Sequence, residues 1–217
     1  MHPSTWPKEL LIGLRLTLCT AALALIYTLV ITGISQVAFN SNANGSLVTV
    51  NGKVVGSTLI GQSCPQEKLA SDGSLRITID PKYFQGRLSY TYNSSTAALQ
   101  PCNAANSASS NLGPSNPLLL ETTKAAVAAY VAAGVAAPIP IDLVTSDFTG
   151  FDPDISEASA IAQVNMVAGA RGIDPAKLRA LVESELQGRI LWVFGEPVVN
   201  VLQLNLALDA QQSSLAG

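Results

Sequence analysis

Hydrophobic positions along this chain fall into two regimes. Leu16 to Val37 is a run of twenty-two residues without a charged side chain, and the apolar stretch already begins at Leu10-Leu11-Ile12. Beyond residue 38, apolar residues recur only in short alternating or helically spaced groups separated by Asn, Gly, Ser and Pro. At about 1.5 Å rise per residue the first run makes a helix of roughly 33 Å, matched to a hydrocarbon core about 30 Å thick. The second regime reads as an ordinary folded domain. The pattern therefore predicts a cytoplasmic N-terminus over 1–9, a transmembrane helix over 10–37 and one extracytoplasmic α+β domain over 38–217, with a small sheet and about three helices.

The domain elements follow from turn and cap chemistry. Ser46–Val50 and Val54–Gly56 are short runs joined through Asn51-Gly52, a pair suited to a type I′ hairpin because both positions need positive φ. Arg76–Asp80 is a further alternating run, ended by Pro81. Thr91–Asn116, rich in Ser, Asn and Ala, predicts a long ordered loop. Asn116-Pro117 opens a helix to Gly134, a capping side chain followed by proline at the first helical position. A short strand is expected around Ile141–Val144, then a helix over Glu157–Arg171 stopped by Gly172. A third helix starts at Asp174-Pro175, buries Leu178, Leu181 and Val182 and ends before Gly188. Ile190–Phe194 and Val198–Leu208 are expected as closing strands, the latter because Leu202, Leu204, Leu206 and Leu208 alternate with Gln203, Asn205 and Ala207.

Charge fixes an orientation. Lys8 and Arg15 stand at the N-terminal end of the apolar run, and the next basic residue is Lys53. Positive charge stays on the cytoplasmic side, so the large domain is expected outside. Arg15 lies about one turn inside the run and reads as an interface anchor whose stem snorkels to the headgroups. A cleaved signal peptide is the rival reading, with Ser41-Asn42-Ala43 as the cleavage site. Its apolar region would be only about 7–15 residues, which favours an uncleaved anchor.

Composition removes some functions. Charged residues are 12% of the chain and the formal net charge is −3, which gives no basic face for nucleic acid. The only histidine is His2, so histidine-dependent triads and His-ligated zinc are excluded from the domain. Gly56–Gly61 has the glycine spacing of a phosphate loop, but Gln62-Ser63 stands where the lysine pair belongs. Asp147, Asp152 and Asp154 can be read as a cation site, or as a turn whose carboxylates accept backbone amides; the spacing favours the turn. Asn44-Gly45-Ser46 and Asn93-Ser94-Ser95 match a glycosylation triplet and imply only surface exposure. Cys19 falls in the apolar run as a small hydrophobe. Cys64 and Cys102 fall in a compartment where thiols can oxidise, and the sequence leaves open whether their Cα atoms come close enough to bond.

A series of ordered strings gives the chain a resemblance. Gly45-Ser46-Leu47-Val48, Val55-Gly56-Ser57-Thr58-Leu59-Ile60-Gly61-Gln62 and Tyr83-Phe84-Gln85-Gly86-Arg87 come first. Ser110–Pro117, Pro140–Thr145, Gly150–Ser156, Ala168–Arg171 and Gly195–Asn205 follow. In this order they resemble the C subunit of the Kdp-type potassium-transporting ATPase, the KdpC family, from the anchor to Leu208. The family usually has an aromatic at Cys64, proline at Leu88, histidine or asparagine at Asp154, arginine at Met166 and glutamate at Gln203. The change at Cys64, taken with Cys102, suggests a lineage-specific disulfide, and those at Met166 and Gln203 weaken any carry-over of charged contacts.

The resemblance implies an accessory, non-catalytic subunit of an ATP-driven potassium importer in a bacterial or archaeal plasma membrane. Its implied partners are a channel-like potassium-binding subunit, a P-type ATPase catalytic subunit and a very small membrane peptide. ATP, magnesium and potassium would belong to the complex, and this chain would carry no cofactor of its own. The implied roles are assembly and promotion of ATP binding by the catalytic subunit. Candidate partner contacts are Arg15, Thr20, Thr28 and Gly33 in the span, where small and hydroxylated residues suit close helix packing. Asn111, Asn116, Asn200 and Asn205, within the matching strings, are the others. The alternatives are a membrane-anchored module binding a solute or cation through the three aspartates, or an anchored hydrolase using a Ser–Lys or carboxylate pair.

Overall fold

The structure is a computed structural model that describes residues 6–62, 64–69, 75–91, 95 and 99–215. It divides into two compact units, residues 1–47 and 48–217. The first unit is dominated by α1, Trp6–Ala38, a continuous helix of 33 residues. Its ladder satisfies the backbone internally, and its side chains supply no cover: none of its residues is buried. A helix of this length and hydropathy is long and apolar enough to cross a membrane. A short turn of helix follows, α2, Asn40–Ala43.

The chain continues with β1, Leu47–Val50, and β2, Lys53–Ser57, paired as a hairpin. Asn51 and Gly52 between them have φ of 50° and 77°, the left-handed pair that the dipeptide predicts. A second hairpin pairs β3, Gln66–Leu69, with β4, Leu75–Thr78, in antiparallel register Gln66↔Thr78. Next come α3, Pro117–Ala132, capped by Asn116 through the Leu118 N–H, and α4, Ile141–Val144. The last part of the chain builds the centre of the domain. It comprises β5, Asp154–Ser156; α5, Glu157–Arg171; α6, Pro175–Ser184; β6, Leu186–Gln187; β7, Val198–Asn200; and α7, Val201–Leu215. β7 runs between β5 and β6, antiparallel to both.

The helix ends obey their caps. Ser156 Oγ accepts the Ser159 N–H, Gly172 closes α5 at φ 67°, and Asp174 accepts the Ala176 N–H ahead of Pro175. The core gathers Phe84 and Leu88 from the loop after β4, Tyr130 from α3 and Leu143 from α4. Ile155, Val164, Val167, Leu178, Val199, Leu204 and Leu208 complete it. This is the α+β architecture the sequence predicts, with the sheet among the described residues broken into three small pieces.

Three expected strands fold differently. Val198–Leu208 is a strand only to Asn200 and a helix thereafter. Its buried positions are Val201, Leu204, Asn205 and Leu208, the i, i+3, i+4, i+7 stripe of a helix that the alternating leucines mask. The start of α7 is marked by Asn200, whose Oδ1 accepts the Gln203 N–H at 3.2 Å. Ile141–Val144 is a helical turn rather than a strand; four residues after a proline, three of them aliphatic, are too few for periodicity to decide between them. Ile190–Phe194 is not an extended strand but a hairpin tip, closed by paired backbone bonds of 2.9 Å between Ile190 and Phe194. Apolar at every position, that run offers no polar face to direct it into a sheet.

Candidate functional site

The most tightly specified region is the segment Lys82–Arg87, laid across α5 and α7. Two buried amide side chains hold it. Asn205, on α7, accepts the Phe84 N–H through Oδ1 and donates to the Phe84 carbonyl through Nδ2, both at 2.9 Å. Gln163, on α5, does the same for Gln85, accepting its N–H at 2.8 Å and donating to its carbonyl at 3.1 Å. The side-chain amides stand in for the neighbouring strand this segment lacks, so two consecutive buried peptide units are satisfied without a sheet. Arg171, at the end of α5, secures the flank. Its side chain is only 5% exposed and pairs with Asp209 at 2.7 Å. Its Nε donates to the Lys82 carbonyl at 2.6 Å, and its guanidinium covers the Tyr83 ring at 4.4 Å.

The aspartate loop is the second specified region. Asp147 Oδ1 accepts the Thr149 N–H at 2.5 Å and the Gly150 N–H, and Oδ2 accepts the Asp152 N–H at 3.1 Å. Asp152 accepts the Asp154 N–H and faces Arg87 at 3.8 Å. Asp154 accepts the Asn200 Nδ2 amide, which also donates to the Thr58 carbonyl at 2.9 Å. Burial raises the Asp154 carboxyl above the usual range; the Asn200 bond opposes that shift and neighbouring Asp152 adds to it. Among the described residues no three His, Cys, Asp or Glu side chains gather as a metal site. The aspartates order a turn.

Loops are knitted around this turn. Gly61 N–H donates to the Phe151 carbonyl at 2.7 Å, and Ser89 Oγ donates to the Gly150 carbonyl while accepting the Cys102 N–H at 2.9 Å. Cys64 and Cys102, with Cα atoms 5.8 Å apart, are bonded through their sulfurs.

Asp142 is a residue the sequence reading missed, hidden by the expectation of a strand there. From α4 its carboxylate accepts the Ser156 N–H at 2.8 Å and the Ser159 hydroxyl, bracing the start of α5. Burial pushes its pKa up, but the bonds from Ser159 and Ser156 prevail and hold it below the usual carboxylate range. A depressed folded-state pKa contributes stability that is present above the unfolded value, about 3.9, and is lost as pH falls through the folded one. Asp142→Asn is therefore expected to lower stability by about 1–2 kcal/mol at neutral pH. The difference from the parent should shrink below about pH 4 in urea titrations of the two chains. A difference independent of pH would show that the charge is not what matters.

The candidate contact residues fall into three settings. Arg15, Thr20, Thr28 and Gly33 lie exposed on α1, where the Thr20 and Thr28 hydroxyls donate back to Leu16 and Ala24 carbonyls at 2.5 and 2.8 Å. Asn111 and Asn116 are exposed in the loop before α3, Asn111 with φ 53° and Asn116 as the cap. Asn200 and Asn205 are 4% and 6% exposed and face inward as braces. His2 and Asn93 lie outside the described residues, whereas Asn44 is exposed.

One long uncovered apolar helix joined to a small α+β domain is the layout of a membrane-anchored protein. Residues 10–210 match the family described as KdpC, the c chain of K+-transporting ATPases. A potassium-transporting ATPase KdpC subunit of Burkholderia orbicola strain MC0-3 is 48% identical over 197 residues, covering 90% of this chain and 92% of that one. The KdpC subunit of Burkholderia cenocepacia strain HI2424 is 47% identical over 89% of this chain and 91% of its own length. That of Dechloromonas aromatica strain RCB is 45% identical over 89% and 92%. The chain belongs to the KdpC family and is a subunit of a K+-transporting ATPase.

Proposed function

We propose that the chain is a non-catalytic accessory subunit of an ATP-driven potassium importer, needed for assembly of the complex and acting on ATP use from the opposite side of the membrane. In this reading α1 spans a bacterial or archaeal plasma membrane with residues 1–9 in the cytoplasm. The domain from residue 38 onward is extracytoplasmic. The distribution of Lys8, Arg15 and Lys53 supports that orientation, and so does the bond between Cys64 and Cys102, because such bonds persist in oxidising compartments. The partners are the channel-like potassium-binding subunit, the P-type catalytic subunit and the small membrane peptide. ATP, magnesium and potassium are handled by them, and this chain binds no cofactor and no nucleic acid. Nucleotide is bound in the cytoplasm, so a domain outside acts on it only as a coupling free energy carried through the membrane subunits.

The observation that carries the reading is α1: 33 residues with none buried, and with Thr17, Thr20, Ala21, Ala24, Thr28 and Gly33 set among the leucines. Small and hydroxylated residues let helices approach closely in lipid, where apolar bulk alone drives no association. Replacing residues 10–37 by an equally long polyleucine-type span should leave the chain in the membrane fraction and abolish its co-purification with the other subunits. Recovery of the intact complex with the replaced span would refute the docking role of α1.

A further inference from the structure

The most conspicuous feature unused by this reading is the hairpin tip between β6 and β7. Ile190, Leu191, Trp192, Val193 and Phe194 are consecutive and all strongly exposed, Trp192 at 94%. The tip is a built structure. Backbone bonds of 2.9 Å between Ile190 and Phe194 close a three-residue turn, and Arg189 pairs with Glu196 at 2.7 Å across its base. Leu191 and Trp192 stand at φ 52° and 68° without a glycine between them, a backbone that bulky side chains rarely adopt. Strain of this kind persists where the surrounding structure over-determines it, and it concentrates at functional positions.

We infer that this tip is a lipid-inserting wedge that seats the domain on the bilayer surface. The inference rests on the reading of α1 as a membrane anchor. An apolar knob exposed on every side needs a phase that encloses it, whereas a flat protein interface covers one face. A bilayer encloses it without a pocket of matching shape. A chain tethered by α1 holds the domain at high effective concentration near a bilayer. Tryptophan is the side chain most at home at the hydrocarbon–headgroup boundary. The charges at the base neutralise each other, placing a polar collar where headgroups would lie and giving no preference for anionic lipid.

The test uses the full chain carrying Trp6→Phe, which leaves Trp192 as the only tryptophan, reconstituted in phosphatidylcholine vesicles. Flotation with the vesicles reports the anchor. Emission of Trp192 reports the tip, read with and without lipid brominated near the top of the acyl chains. The expected result is a floating chain with blue-shifted emission that is quenched by the brominated lipid, as for a tryptophan seated at the membrane interface, and no change when part of the lipid is made anionic. A floating chain with water-like, unquenched emission would overturn the wedge while leaving the anchor intact. Emission that becomes blue-shifted only when the other subunits are co-reconstituted, still unquenched by brominated lipid, would overturn it in favour of a protein pocket. A chain that fails to float would remove the anchor on which the inference rests.

Discussion

Asn205→Leu should cost the domain a large part of its stability, although the two side chains have the same number of heavy atoms and the same branching. The Asn205 amide meets the Phe84 N–H and carbonyl, both at 2.9 Å, around a phenylalanine with no exposed surface. Leucine leaves that donor and acceptor buried without a bond, and each orphaned group costs about 1–3 kcal/mol. The expected loss is about 2–6 kcal/mol, against a total stability of about 5–15 kcal/mol for a domain of ordinary size. Thermal unfolding of the purified full chain in detergent, followed by circular dichroism, measures it. Asn205→Gln is the control, because it keeps both amide groups but displaces them, and should fall between leucine and the parent. A leucine variant that melts with the parent would mean that water or a relaxed backbone replaces the amide.

Gly150→Val is the second large effect and has a different cause. Gly150 adopts φ +82°, and a Cβ built there would lie 2.6 Å from the Ala108 carbonyl oxygen and 2.5 Å from Thr91 Cγ2. The Ala108 oxygen is backbone and cannot rotate away. A β-branched side chain in the left-handed region adds strain of about 1–3 kcal/mol. With the overlap, the loss should exceed about 3 kcal/mol. Because Gly150 lies where residues 89–91, 102 and 108 are tied to the aspartate turn, limited proteolysis should find new cleavage between residues 99 and 110 in the variant. An unchanged digestion pattern and melting curve would show that the loop can step aside.

Where the sequence could be read, local chemistry decided the structure. The uniform apolar run makes a helix legible at α1, since an uncharged run of that length is too long for a strand. Asn116-Pro117, Asp174-Pro175 and Asn51-Gly52 announce their caps and turn because a side chain or a positive φ does the work within four residues. The end of the chain was misread because two periods coexist there. Leucines at 202, 204, 206 and 208 alternate, but burial at Val201, Leu204, Asn205 and Leu208 follows the helix. Asn200 was the readable signal, as a capping residue.

The polar braces were not legible at all. Gln163, Asn205 and Asp142 satisfy groups 78, 121 and 14 positions away along the chain. Nothing local in sequence marks an amide or carboxylate as facing inward. Sequence reading placed Asn200 and Asn205 among candidate contacts because they fall in the matching strings; the structure gives both an internal bond network. The five apolar residues at the tip were legible as apolar but not as exposed, since exposure depends on the absence of a neighbour.

The bond between Asn205 and Phe84 has a consequence for the order in which the protein is made. The side chain that satisfies the Phe84 N–H and carbonyl arrives more than a hundred residues later, with α7. Closing so long a loop carries an entropic cost before any contact rewards it. The core around Phe84, Leu204 and Leu208 therefore stays open while most of the chain is already synthesised and, in the proposed topology, already across the membrane. Assembly of the domain becomes a check that the last helix has been delivered intact, and a chain shortened before Leu204 would keep its anchor but never close its core.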